Sequence, residues 1–318
     1  MSIIEQATKR LEELRRAGID VPWIEPAEAE QAAASANAVN GAVRAASPAV
    51  VPLKGRDGHA APQPVAEPEA PVVEVPERVS REVTIDLDRL GALGYLTPIP
   101  VNRSLADELR VIKMQLIKNV ELATAQGQRG NLILVTSAVP GEGKTFFSMN
   151  LAMSLAMEVD RHALLVDADV LRPSVVSRYG IDAPLGLLDL MTRPELDVAD
   201  VMLRTNVPKL SVLPAGTPTH KSTELLASAG MEQLLNELSE RYADRLVIFD
   251  APPLLVATEA RLLAQRVGQV VMVVEANRTD SHAVAQAFAA VESCPLVSSV
   301  LNRCPSPSAG NAYGYYEA

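Results

Sequence analysis

The residues best suited to chemistry form three short groups. The first is Ala138-Val-Pro-Gly-Glu-Gly-Lys-Thr145, in which glycines precede a lysine and a hydroxyl. An apolar run, Asn131 to Thr136, comes before it and a helix-forming run follows. In that context the backbone N–H groups of Pro140-Gly141-Glu142-Gly143 and of Lys144-Thr145-Phe146, apart from proline, surround a phosphate at the helix N-terminus. Lys144 then reaches β and γ oxygens, and the Thr145 hydroxyl is placed for a magnesium ion, so ATP with Mg²⁺ is the expected ligand. The second group is Asp167 and Asp169, which leave the end of the apolar run His162 to Val166. Residues i and i+2 of an extended chain share a face, so both carboxylates can address one phosphate and metal region. The third is Asp250, which ends Leu246-Val-Ile-Phe249 and precedes Ala251-Pro-Pro253. It is placed to order magnesium.

Elements that hold such groups must be buried strands ending at a common edge. The runs 131–136, 162–167, 210–214, 245–250, 270–274 and 297–302 are largely apolar, which predicts a mostly parallel sheet with helices on both faces. Helices are predicted over Ser104 to Ala125, where Leu105, Leu109, Ile112, Leu116 and Val120 share a face, and from Lys144 to about Met157. The fold class is therefore α/β, preceded by a linker. Residues 1–18 read as a short amphipathic helix, with Ile3, Ile4, Ala7, Leu11 and Leu14 at helical spacing. Residues 19–82 are rich in Ala, Pro, Val and Glu and are expected to be disordered. The catalytic domain is expected over 83–304 and a flexible, tyrosine-rich tail over 305–318.

Composition narrows the partners. With 318 residues, 48% of them hydrophobic, the chain can bury a full core, and a net charge of −10 opposes nucleic-acid binding. Two cysteines, Cys294 and Cys304, suggest neither a disulfide framework nor a zinc site. No apolar run approaches a membrane span or a signal peptide, so a cytoplasmic location is expected, with membrane association through a partner.

Taken together, the three groups resemble the deviant-Walker class of P-loop ATPases and, within it, the bacterial tyrosine kinases. The resemblance runs from about Leu96 to the C-terminus. Asp167 and Asp169 match the family's Walker A′ motif, as does Arg172 before Pro173, whereas Leu171 stands where a further arginine is usual. Val139 occupies the place of the lysine that partition and septum-site ATPases carry, which separates this chain from those switch ATPases, the alternative reading. The resemblance implies that Lys144, Asp167 and Asp169 are catalytic, with Asp167 as proton acceptor and Asp169 and Asp250 on magnesium, or with Asp167 and Asp169 exchanging these roles. It further implies that Asn302 contacts adenine, followed by Arg303. Pro214-Ala-Gly216 and Thr223-Glu-Leu-Leu226 look like its helper segments, although His220 and Lys221 depart from the usual Asn-Pro.

Three of the six tyrosines, Tyr313, Tyr315 and Tyr316, cluster at the end of the chain and are the expected phosphoacceptors. Asp107, Arg110 and Lys113 resemble an acidic-x-x-Arg-x-x-Arg motif through which family members assemble homo-oligomeric rings. The implied role is regulation of exopolysaccharide synthesis and export, with a separate membrane-anchored polysaccharide co-polymerase as activator. The segment Ile85 to Pro98 looks like the exosortase-associated subgroup of autokinases.

Overall fold

The computed structural model describes residues 80–99 and 102–305. The predicted N-terminal helix, nearly all of the predicted linker and the tyrosine tail lie outside these residues.

Eight strands form one sheet: β1 (Glu82–Val83), β2 (Leu132–Ser137), β3 (His162–Asp167), β4 (Leu203–Thr205), β5 (Leu210–Leu213), β6 (Arg245–Asp250), β7 (Gln269–Glu275) and β8 (Leu296–Asn302). Their order is β1-β4-β5-β3-β6-β2-β7-β8, and every pairing is parallel except β4 with β5. Strand β1 begins at Glu82, one residue before the boundary read from composition.

The central strands are buried on both sides because their side chains alternate between two cores. Leu132, Leu134, Leu164, Val166, Val247, Phe249, Val270 and Met272 pack on one face. Ile133, Val135, Ala163, Leu165, Leu246, Ile248, Val271 and Val273 pack on the other. A parallel strand covered on both faces is apolar at nearly every position, which is why these segments read as near-continuous runs.

The second core is covered by α1 (Leu87–Ala92), α2 (Arg103–Ala125) and α3 (Lys144–Ala156). Helix α3 is buried along nearly its whole length, whereas α2 presents Leu109, Leu116 and Val120 inward and keeps an outer polar face. Asn102 caps α2 by accepting from the Leu105 N–H at 3.2 Å. The first core is covered mainly by α5 (Leu187–Thr192), α8 (Ala229–Glu240) and α9 (Thr258–Ala264). Short helices α4 (Val175–Tyr179), α6 (Val198–Val201) and α7 (Ser222–Ala227) and the longer α10 (Ser281–Ala289) complete the elements. Among the described residues no helix is long and apolar enough to cross a membrane. The carboxyl ends of β2, β3, β6, β7 and β8 share one edge, where ligands of open α/β sheets bind.

Candidate nucleotide and phosphoryl-transfer site

The loop between β2 and α3 is shaped by two glycines in the left-handed region, Gly141 at φ 92° and Gly143 at φ 94°. Gly143 is the N-cap of α3 and offers no capping side chain, leaving the first N–H groups of the helix open to an anion. A Cβ at Gly143 would lie 2.1 Å from Asn302 Nδ2, so a larger residue there would displace the Asn302 amide. Glu142, 1% exposed, turns inward: Oε2 accepts from the Val139 N–H at 2.7 Å, and Oε1 from the Glu275 N–H and the Thr279 hydroxyl. Asn302 Nδ2 donates to the Glu142 carbonyl at 2.8 Å. The loop is thus fixed from inside by β7 and β8 before any ligand arrives.

Three carboxylates meet beside it. Asp167 and Asp250 are register partners at the ends of β3 and β6, and both are fully buried. Asp167 Oδ2 accepts from the N–H groups of Ser174 and Val175, each at 2.9 Å, and so holds the start of α4. Asp250 Oδ1 accepts from the Ser148 hydroxyl at 3.1 Å. The remaining oxygens, Asp167 Oδ1 and Asp250 Oδ2, are buried without a partner. Burial, then the neighbouring Asp250 charge, pushes the Asp167 carboxyl up to about 7. Burial likewise pushes Asp250 up to about 6, against the opposing pull of Lys144 and the hydroxyls of Thr145 and Ser148. Asp169 Oδ2 forms an ion pair with Lys144 Nζ at 3.3 Å, while its Oδ1 accepts from the Arg172 N–H.

The described residues contain no ready cluster of three or more His, Cys, Asp or Glu for a metal. A magnesium ion bound with a nucleotide does not require one, because it takes one or two carboxylates, a hydroxyl, phosphate oxygens and water. The buried, partnerless oxygens of Asp167 and Asp250, with the Thr145 hydroxyl beside Asp250, fit such an ion.

A cleft of about 710 Å³ opens over the loop and brings together Gly141, Gly143, Lys144, Thr145, Phe146, Asn302 and Arg303. Pro140 sits exposed at the loop's tip. Arg303 is tied to Glu275 at 3.0 Å. The Glu142 side chain is part of the scaffold, so only its backbone is available to phosphate. The motif on α2 divides. Asp107 and Arg110 form an exposed pair at 3.0 Å, but Lys113 is 7% exposed, donates to the Ser154 carbonyl at 3.1 Å and pairs with Glu158. Three-residue spacing places Lys113 near the other two, and its long stem lets it turn inward and tie down the end of α3. The tyrosines Tyr313, Tyr315 and Tyr316 lie outside the described residues.

Some contributors escape sequence reading. Ser148 lies four residues after Lys144 and bonds both the Lys144 carbonyl and Asp250, a placement that i, i+4 spacing on the helix permits. Arg89, Tyr95 and Arg178 also line the cleft, and no local pattern links them.

A family profile described as an AAA domain matches residues 130–295. The tyrosine-protein kinase YwqD of Bacillus subtilis (strain 168) is 30% identical over 200 residues, covering 62% of this chain and 82% of YwqD. The succinoglycan biosynthesis transport protein ExoP of Rhizobium meliloti (strain 1021) is 30% identical over 190 residues, 58% of this chain but only 24% of ExoP. Among solved structures, the VpsO kinase domain superposes with a TM-score of 0.51 at 29% identity, covering 61% of this chain and 98% of that domain.

Proposed function

Because this chain belongs to the AAA-domain P-loop proteins and, within them, to the bacterial tyrosine-protein kinases, we propose that it transfers the γ-phosphoryl group of ATP to its own tyrosines, Tyr313, Tyr315 and Tyr316. The observation that carries the reading is the juxtaposition of the Lys144–Asp169 ion pair with the buried Asp167 and Asp250 carboxylates at the mouth of the phosphate loop.

Phosphoryl transfer proceeds through a loose transition state, so positioning and charge compensation dominate catalysis. Loop N–H groups and Lys144 hold the β and γ oxygens, with Lys144 aimed by Asp169. Magnesium, when bound with the nucleotide, supplies further neutralisation of the phosphate oxygens, held by Thr145 and Asp250 with Asp169 nearby. The γ-phosphorus bond to the β–γ bridging oxygen breaks as a bond to the phenol oxygen forms, and ADP leaves. The phenol proton passes to Asp167, whose free oxygen and pKa near 7 suit a base working at neutral pH. Asn302 and Arg303, at the end of β8, border the place expected for adenine.

From Pro305 to Tyr313 an extended chain reaches ~26 Å at ~3.3 Å per residue, so the tail of one copy can enter the site of another in a ring. Asp107 and Arg110 are the exposed residues of the expected ring contact. Each phosphotyrosine adds roughly −1.5 to −2 charges, which favours ring dissociation. The ExoP name supports a role in exopolysaccharide production, and a separate membrane-anchored co-polymerase would serve as activator.

Mixing tests transfer between copies. A Lys144→Met chain supplies intact tyrosines, and a chain with Tyr313, Tyr315 and Tyr316 changed to Phe supplies an intact site. Phosphate on the Lys144→Met copy supports transfer in trans. Phosphotyrosine formed by wild type but never in the mixture places transfer within one copy.

A further inference from the structure

The nucleotide cleft is more cationic than its nucleotide duty explains. Its walls carry Arg89, Lys144, Arg178 and Arg303 and no carboxylate, in a chain of net charge −10. Lys144 is paired with Asp169 and Arg303 with Glu275. Among the described residues Arg89 and Arg178 have no acidic partner; Arg178 Nη1 donates instead to the Tyr95 phenol oxygen at 2.9 Å. Tyr95 is itself fixed by its ring, 5.0 Å from that of Phe146 in the first turn of α3. Arg89 reaches α4 from α1: at Gly180, which closes α4 at φ 71°, a Cβ would lie 2.5 Å from Arg89 Nη1.

Topology tells which end of the nucleotide these arginines face. The phosphate loop follows β2; β8, which ends at Asn302 just before Arg303, lies two strands to one side, and β3 lies two strands to the other. Helix α4 is anchored to β3 through the bonds from its first N–H groups to Asp167. Arg178 therefore stands across the loop from Asn302, on the side of the Walker A′ carboxylates, among them Asp167, the proposed acceptor of the tyrosine proton.

We propose that Arg89 and Arg178, the latter held by Tyr95, form an anion subsite that reads a negative charge beside the acceptor tyrosine. The inference rests on the tail-kinase reading and deepens it by naming what the acceptor carries. After Arg303 the chain has one charged side chain, Glu317, directly following Tyr316. A carboxylate there, or the phosphate of an already modified neighbouring tyrosine, offers the planar or tripodal oxygens that guanidinium groups bind.

The test uses the full chain with its three tail tyrosines changed to Phe, so that added peptide is the sole tail acceptor. Two peptides spanning residues 311–318 are compared, one native and one with Glu317→Gln. The native peptide should have a KM about fivefold lower, in line with a partly exposed charge pair. Arg178→Ala or Arg89→Ala should erase that difference by raising the peptide KM more than the KM for ATP, with Tyr95→Phe giving a partial loss. Arg178→Glu should recover preference for a Glu317→Lys peptide. Equal KM values for the two peptides with wild-type arginines overturn the subsite, as does a rise in the KM for ATP alone. Binding of the same peptides with Phe in place of Tyr, in the presence of MgADP, separates the two levels. Glu317-dependent binding without transfer would sink the kinase reading and keep the subsite, whereas transfer without Glu317-dependent binding does the reverse.

Discussion

Asp167 and Asp250 stand opposite each other in register at the carboxyl ends of β3 and β6, and each keeps one buried oxygen without a partner. Two carboxylates so placed repel when both are ionised. The arrangement is costly to the protein alone and favourable once a cation or proton lies between them.

This pair makes the ligand-free protein more stable in mild acid. Burial raises Asp167 to about 7 and Asp250 to about 6, both above the unfolded carboxylate value. The native state therefore binds more protons than the unfolded state between those values. The stabilisation is full below about pH 4 and is lost as pH rises through 6 and 7. Denaturant unfolding at pH 5 and pH 8 should differ by on the order of 3 kcal/mol from these two groups. Asp167→Asn, which retains an oxygen for the Ser174 and Val175 N–H groups, should flatten most of that slope.

Cation binding should carry the opposite pH dependence, because a cation entering between the carboxylates must displace their protons. Thermal stabilisation by Mg²⁺ with ADP is expected to be larger at pH 8 than at pH 5.5, and differential scanning fluorimetry reads this directly. Equal shifts at both pH values would place the cation elsewhere.

Glu142 holds the phosphate loop through the Val139 and Glu275 N–H groups and the Thr279 hydroxyl. Glu142→Ala strands buried donors, so a loss of about 1–3 kcal/mol in stability is expected. ADP affinity should fall about tenfold as the loop loses its shape. Isothermal titration calorimetry measures the second effect, and unchanged affinity would show that the loop forms without this anchor.

Lys113 and Arg110 should separate stability from assembly. Lys113→Ala leaves the Ser154 carbonyl and Glu158 without their partner and should destabilise the fold by about 1–3 kcal/mol. Arg110→Ala removes one exposed partner and should change stability by no more than about 0.5 kcal/mol. If Asp107 and Arg110 contribute to a ring, Arg110→Ala shifts the oligomer distribution in analytical ultracentrifugation at unchanged unfolding temperature.

The site's strands were legible because buried parallel strands cannot hide: 163–166 and 246–249 are apolar at every position, and an aspartate closes each. The phosphate loop was legible for a similar reason, since strand, glycines, lysine and helix must be contiguous. The edge strand β1 and its neighbour β4, two and three residues long, carry no such pattern. Spacing could not show that Lys113 turns inward, because an aliphatic stem with a charged tip fits a solvated face and a buried contact alike. Tyr95 and Arg178 are 83 residues apart, and only the packing of α1 and α4 around the cleft joins them. Ser148 reads as an ordinary helix residue until β6 brings Asp250 to it.

The most direct test of the account is phosphotyrosine mapping by intact-mass and peptide mass spectrometry after incubation with MgATP, with and without a co-polymerase fragment that binds the chain. Wild type, Lys144→Met and the variant with Tyr313, Tyr315 and Tyr316 changed to Phe are compared. The account predicts phosphate on the tail of wild type and none on either variant. ATP hydrolysis without phosphotyrosine in the presence of the bound fragment would contradict it.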